Sequence, residues 1–143
     1  LEALRDAADA HLAKTGARPQ VFLACLGDLA VHAARSTWTS NFLAAGGIEA
    51  IASAPLYNSA DAGVAFAASG ASVACLCSSD QVYAELAEAT AGVLKQAGAK
   101  QILLAGRPKD QKAALKAVGV EGFIFAGGDA VATLASLHKS LGI

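Results

Sequence analysis

Apolar residues fall along this chain in two rhythms. From Leu1 to Lys14 they recur at positions 1, 4, 8 and 12 with charged residues between them, the spacing of one helical face. Gly16-Ala17-Arg18-Pro19 breaks that pattern, which predicts a leader helix and linker over residues 1–17 and a domain over 18–143. Within the domain, short continuous apolar runs take over: QVFLACL at 20–26, Ile48 to Ala52, SVACLC at 72–77, QILLA at 101–105 and GFIFA at 122–126. Each has strand length, and continuous hydrophobicity is what strands covered on both faces require. Alanine-rich helical stretches are predicted between and after them, over 29–45, 58–69, 81–97, 110–118 and 129–141. Their punctuation is explicit: Asn58 as an N-cap, and Gly46-Gly47, Gly70 and Gly98 as stops.

Five strands alternating with helices predict an α/β fold with a doubly wound parallel sheet. Right-handed crossovers leave two common strand orders, and five strands suit the flavodoxin-like (Rossmann-like) order 2-1-3-4-5 better than the six-stranded dinucleotide order. Ligands in such sheets bind at the carboxyl ends of the strands, where the strand order reverses. Those ends are predicted at Gly27-Asp28, Ser78-Ser79, Gly106-Arg107 and Gly127-Gly128.

Composition narrows the function classes. The chain has 143 residues, enough for one domain with its own core. The 55% hydrophobic content is high, yet no apolar run approaches the ~18–20 residues of a membrane span, so no membrane role is expected. A net charge of -1 with scattered charges argues against a nucleic-acid partner. Cys25, Cys75 and Cys77 lie inside strand-like runs with no Cys-x-x-Cys or Cys/His metal spacing, and are expected to be reduced core thiols of a cytoplasmic protein. Methionine is absent and the chain opens inside a helix, so it is expected to be part of something longer, whose missing part would have held any secretion signal.

The candidate chemistry is thin. His32 follows the first strand near the switch point and could ligate a metal or titrate, but Asp28 reads as an N-cap, which places His32 in the first turns of a helix where it needs no role. His11 and His138 lie in the first and last helices, away from the crevice. Ser78-Ser79-Asp80 offers hydroxyls and N–H groups at a helix start, suited to an anion and equally to ordinary capping. Gly127-Gly128-Asp129 is a Gly-rich turn without a phosphate-loop signature. Arg107 could clamp an anion or fill a crevice that takes none, and Trp38, four residues before Phe42, is expected in the core. No Ser/His/Asp or Cys/His set assembles at one sheet edge, so no catalytic residue and no metal site are expected.

Taken together, the phrases VFLACLGDLAVHAAR, NFLAAGGIEAI, ACLCSSDQVYAELA, AGAKQILLAGRP and VEGFIFAGGDAVATL resemble the C-terminal cobalamin-binding-type domain of methylmalonyl-CoA mutase small (beta) subunits, from about Arg18 onward. The resemblance implies a partner, the mutase large subunit, which would bind adenosylcobalamin and interconvert methylmalonyl-CoA and succinyl-CoA. Cobalamin-binding members of that superfamily carry Asp-x-His-x-x-Gly after the first strand, a Ser-rich turn after the third and Gly-Gly after the fourth. Aligning His32 with the ligand places Ala30 at the Asp position and Arg35 at the Gly position; aligning Asp28 places Ala30 at the His position. Ser78-Ser79 matches the serine turn, but the glycine pair is matched only as Gly106-Arg107, whose arginine would crowd the channel for the nucleotide tail. The resemblance thus implies a non-catalytic domain with a degenerate cofactor site and a role in heterodimer assembly and stability, which does not bind cobalamin itself. Were cobalamin bound, Ser78, Ser79, Gly106 and Gly127 would line its site. Two alternatives stand beside this: a working cobalamin module with His32 as cobalt ligand, and a flavodoxin- or receiver-like regulatory domain, although a receiver needs an Asp where Cys77-Ser78 stand.

Overall fold

The computed structural model describes residues 2–143. Its strands are β1 (Gln20–Cys25), β2 (Glu49–Ala52), β3 (Val73–Cys77), β4 (Gln101–Ala105) and β5 (Val120–Ile124). Its helices are α1 (Glu2–Thr15), α2 (Leu29–Ala45), α3 (Ser59–Ser69), α4 (Asp80–Val82), α5 (Glu88–Gln96), α6 (Lys112–Ala117) and α7 (Ala130–Ser140). All strand pairs are parallel, in the order β2-β1-β3-β4-β5, so the chain reverses its direction of winding between β1 and β3.

Strand alternation divides the apolar runs between two cores. Val21, Leu23, Cys25, Val73, Cys75, Cys77, Leu103 and Ala105 face α2 and α7, packing with Leu43, Leu134 and Leu137. Phe22, Ala24, Ala74, Leu76, Ile102 and Leu104 face the other way, against Phe66, Tyr83, Leu94 and Leu115. Each fully buried Leu or Phe contributes roughly 1.5–3 kcal/mol of transfer free energy, so strands buried on both faces anchor the fold.

The last strand runs over 120–124 instead of 122–126. The cause is a register shift: Ile102 pairs with Val120, but Leu103 pairs with Gly122, leaving Glu121 as an extra residue. That insertion flips the alternation, so Val120 faces one core and Ile124 the other. Phe125 and Ala126 continue the apolar run beyond the sheet.

One helix departs from the expected pattern. The stretch expected as one helix over 81–97 contains a π-helical turn, Tyr83–Ala87, between α4 and α5. The side-chain amide of Gln111 donates to the Tyr83 carbonyl at 2.9 Å, satisfying a group beside the altered turn. The first helix packs against the rest of the chain: Ala8 is fully buried, Arg5 donates to the Ala44 carbonyl at 2.8 Å, and Arg18 pairs with Asp9 at 2.8 Å. Gly47, at φ +76, permits this close approach, since a Cβ there would lie 2.5 Å from that of Ala8. Among the described residues no helix is long and apolar enough to cross a membrane.

Candidate functional site

Parallel winding brings the ends of β1, β3, β4 and β5 to one edge. The strand ends are laced to each other: Leu26 N–H donates to Cys77 O at 3.1 Å, Gly27 N–H to Leu56 O at 2.7 Å, and Gly106 N–H to Ile124 O at 2.8 Å. The side chains over this edge divide into a network around Ser78 and an open cleft beyond Gly106.

Ser78 is fully buried, and its hydroxyl donates to the Leu26 carbonyl at 2.6 Å. Its backbone N–H donates to the Tyr83 hydroxyl at 2.9 Å, and that hydroxyl donates to the Ala105 carbonyl at 2.5 Å. Tyr83 thereby ties the end of β3 to the end of β4. Burial, and after it the neighbouring thiols of Cys77 and Cys75, pushes its hydroxyl far above the ordinary phenol range, so it stays protonated as a donor. Ser79 caps α4, accepting from Val82 N–H at 3.3 Å.

Arg35 reaches from α2 across this network. Its Nη1 donates to the Ser78 carbonyl and to the Asp80 carboxylate, each at 2.8 Å, and its guanidinium lies 5.4 Å from the centre of the Tyr83 ring. A Cβ built on Gly106 would lie 3.3 Å from Arg35 Cζ and from Tyr83 Cε2, tighter than ordinary contact, and the φ of +147 at this position favours glycine. Burial works against the Arg35 charge, but Asp80 and Tyr83 outweigh it and hold the guanidinium above its ordinary pKa.

His32 is buried at 4% exposure, and its Nδ1 lies 2.9 Å from the Gly27 carbonyl oxygen. A carbonyl can only accept, so Nδ1 carries a proton, which in the neutral ring leaves the lone pair on Nε2. Asp28 stands at the N-cap position of α2, but its carboxylate makes no capping bond; it accepts from the Tyr57 hydroxyl at 2.5 Å. That bond raises the pKa of Tyr57. His138 is also buried and donates from Nε2 to the Gly46 carbonyl at 2.9 Å, a tie between α7 and the end of α2.

Beyond Gly106 lies a cleft of about 440 Å³, bounded by Arg35 and Trp38 of α2 and by Gly106, Arg107 and Phe125. Arg107 is exposed and sits over the Phe125 ring, 4.8 Å from its centre. Trp38, expected in the core, is half-buried: it stacks on Phe42 with ring centres 5.2 Å apart and forms a wall of the cleft. Gly127 is exposed, at φ +90, with no atom within 4 Å of where its Cβ would be. The three thiols are buried without disulfides. Burial and then the neighbouring Cys77 push Cys25 up to about 11, and Cys77 followed by burial raises Cys75 well above its ordinary value. Among the described residues no group of three His, Cys, Asp or Glu side chains is placed to hold a metal ion.

Sequence reasoning named Ser78, Ser79, Gly106, Gly127, His32 and Arg107 but passed over Tyr83 and gave Arg35 no role beyond a mismatched motif position. The usable signal for Arg35 was the coincidence of a lone arginine about two helical turns past the switch point with a glycine just after β4.

The chain is 49% identical over 142 residues to the methylmalonyl-CoA mutase small subunit of Streptomyces virginiae, a match covering 99% of this chain and 22% of that protein. It is 36% identical over 143 residues to the small subunit of Porphyromonas gingivalis, with the same coverage, and 39% identical over 128 residues to that of Propionibacterium freudenreichii subsp. shermanii, covering 88% and 20%. The chain is a homologue of methylmalonyl-CoA mutase small subunits. It spans about a fifth of the length of these curated relatives. No family model matches the chain. Among solved structures, a CheY-like protein (tadZ) from Pseudomonas aeruginosa PAO1 superposes with a TM-score of 0.63 at 15% identity, covering 87% of this chain and 94% of that one. The receiver domain of the sensor histidine kinase PA1611 gives 0.61 at 9% identity, covering 89% and 100%. At such identities the likeness concerns the fold, which is flavodoxin-like. Where a receiver would need its aspartate, β3 of this chain ends at Cys77 and is followed by Ser78.

Proposed function

We propose that this domain belongs to a methylmalonyl-CoA mutase small subunit whose cofactor crevice has been closed, and that it acts in assembling and stabilising a heterodimer with the mutase large subunit. In this reading the large subunit binds adenosylcobalamin and interconverts methylmalonyl-CoA and succinyl-CoA in the cytoplasm, while the present domain is non-catalytic and meets a protein partner, with no nucleic acid or membrane involved.

The observation that carries the reading is the Arg35 guanidinium, bonded to Ser78 and Asp80 and packed on Gly106. It lies across the strand ends through which a nucleotide tail would have to pass. The residues present do not fit cobalamin in two further respects. The Ser78 hydroxyl is committed to the Leu26 carbonyl. The Nδ1 of His32 meets a neutral carbonyl where a cobalt-bound imidazole gains basicity from a carboxylate. Titration of hydroxocobalamin with the purified chain should therefore leave its absorption spectrum unchanged. Co-expression with a mutase large subunit should recover a stable heterodimer, and failure of the two chains to co-purify would overturn the assembly role.

One observation favours a second reading. With Nδ1 protonated, His32 is in the tautomer that leaves Nε2 able to ligate a metal. A saturable base-off spectrum, lost in His32→Ala, would establish His32 as a cobalt ligand and replace the first reading.

A further inference from the structure

We infer that the groove between the outer side of β5 and α7 is a binding site for a guanidinium group. Its polar residues take no part in the crevice over the strand ends, so the site goes beyond the closed-crevice reading and does not depend on it.

β5 pairs with β4 alone, so the backbone groups on its outer side have no strand partner. Beside it a groove of about 250 Å³ is bounded by Gln101 of β4, Glu121, Gly122 and Phe123 of β5, and Thr133 and Ser136 of α7. Gln101 is only 6% exposed, yet its side-chain oxygen has no hydrogen-bond partner. A buried acceptor without a donor is costly, and an N–H group brought into the groove would relieve it. Glu121 is exposed and forms no ion pair among the described residues. It is the extra residue of the register shift between β4 and β5, and a bulge on an edge strand is a common way to re-aim a side chain. The hydroxyls of Thr133 and Ser136 add two further acceptors, and no lysine or arginine lines the groove. Several acceptors and one carboxylate spread along a groove suit a guanidinium, whose five N–H groups lie in one plane, better than an ammonium, which is a compact point charge. The half-buried Phe123 adds an aromatic ring for a planar cation. A small guanidinium compound and an arginine side chain of a polypeptide share this chemistry.

The side-chain amide of Gln101 and the backbone N–H of Gly122 report on this groove by NMR of the isotope-labelled chain. Three probes are compared: methylguanidinium, N-acetyl-arginine amide, and N-acetyl-citrulline amide, which keeps the shape of the second without its charge. Saturable shifts with the first two, absent with the third, are expected, and the tighter of the two identifies the source as a free cation or a polypeptide side chain. Glu121→Gln should weaken that binding about tenfold, the loss of one charge-assisted hydrogen bond, while leaving the far-ultraviolet circular dichroism unchanged. Gln101→Met should weaken it as well without lowering the urea midpoint, because the oxygen it removes has no partner in the free chain. No shift with either cation, an equal response to the citrulline probe, or an unaltered affinity in both variants would overturn the proposal.

Discussion

At the edge where the strands end, the β1–β3 side and the β4–β5 side are built to opposite plans. Around Ser78 every polar group has an internal partner: the hydroxyl on Leu26, the N–H on Tyr83, the carbonyl on Arg35. Around Arg107 the guanidinium lies over the Phe125 ring, and both line an open cleft with Trp38. A buried hydrogen bond contributes modestly when made and costs more when half of it is removed. The β1–β3 side is therefore held by consequences of loss, while the β4–β5 side carries no such penalty. The same substitution chemistry should have large effects on one side and small effects on the other.

The largest effect is expected at Tyr83. Tyr83→Phe keeps the ring but strands the Ser78 N–H and the Ala105 carbonyl, both buried, and should cost about 3 kcal/mol. A urea titration should show a lower midpoint with an unchanged slope. A loss below about 1 kcal/mol would mean that water reaches these groups, and that the contrast between the two sides is weaker than drawn.

Alkaline pH tests the dryness of the same side. Cys25 is neutral in the fold up to about 11, against an ordinary value of 9.0. Below pH 9 both folded and unfolded chains hold the thiol proton and the contribution is fully present. Between pH 9 and 11 the unfolded chain releases the proton first, so stability falls, by at most roughly 2–3 kcal/mol for two pH units. Above pH 11 the folded thiol ionises as well and the loss levels off. In Cys25→Ala the decline across this window should shrink, as followed by thermal melts at stepped pH; an identical decline would assign it to other groups.

How much of this was legible in the sequence follows from how locally each feature is encoded. The strands were legible because QVFLACL, SVACLC and QILLA have no polar interruption, which leaves only burial on both faces. Asn58 and Ser79 were legible as caps because capping is a contact between residues three apart, at Asp61 and Val82. The bounds of β5 were not, because the extra residue Glu121 matters only against its partner strand and GFIFA looks continuous without it. The expected cap at Asp28 failed because Tyr57, distant in sequence, offers its carboxylate a different partner. For the same reason the contacts of Arg35 and Tyr83 were hidden: they join α2, β3, α4 and β4, and their meaning depends on the strand order bringing four segments together.

The sharpest comparison sets Arg35 beside Arg107, two arginines on the same cleft. Arg35→Met keeps most of the aliphatic packing but removes the bond to the Ser78 carbonyl and the cation over Tyr83, and should cost about 1–2 kcal/mol. Its ion pair with Asp80 adds little to that figure, because the Asp80 side chain is 76% exposed and solvent screens it. Raising the salt concentration should therefore leave most of the difference in place. Arg107→Ala removes a contact with one aromatic ring at the surface and should change stability by no more than about 0.5 kcal/mol. The two effects together, read from the same denaturation curves, decide whether the edge is asymmetric. Equal losses would mean that Arg107 is part of the scaffold, whereas a loss confined to Arg35 leaves Arg107 outside it.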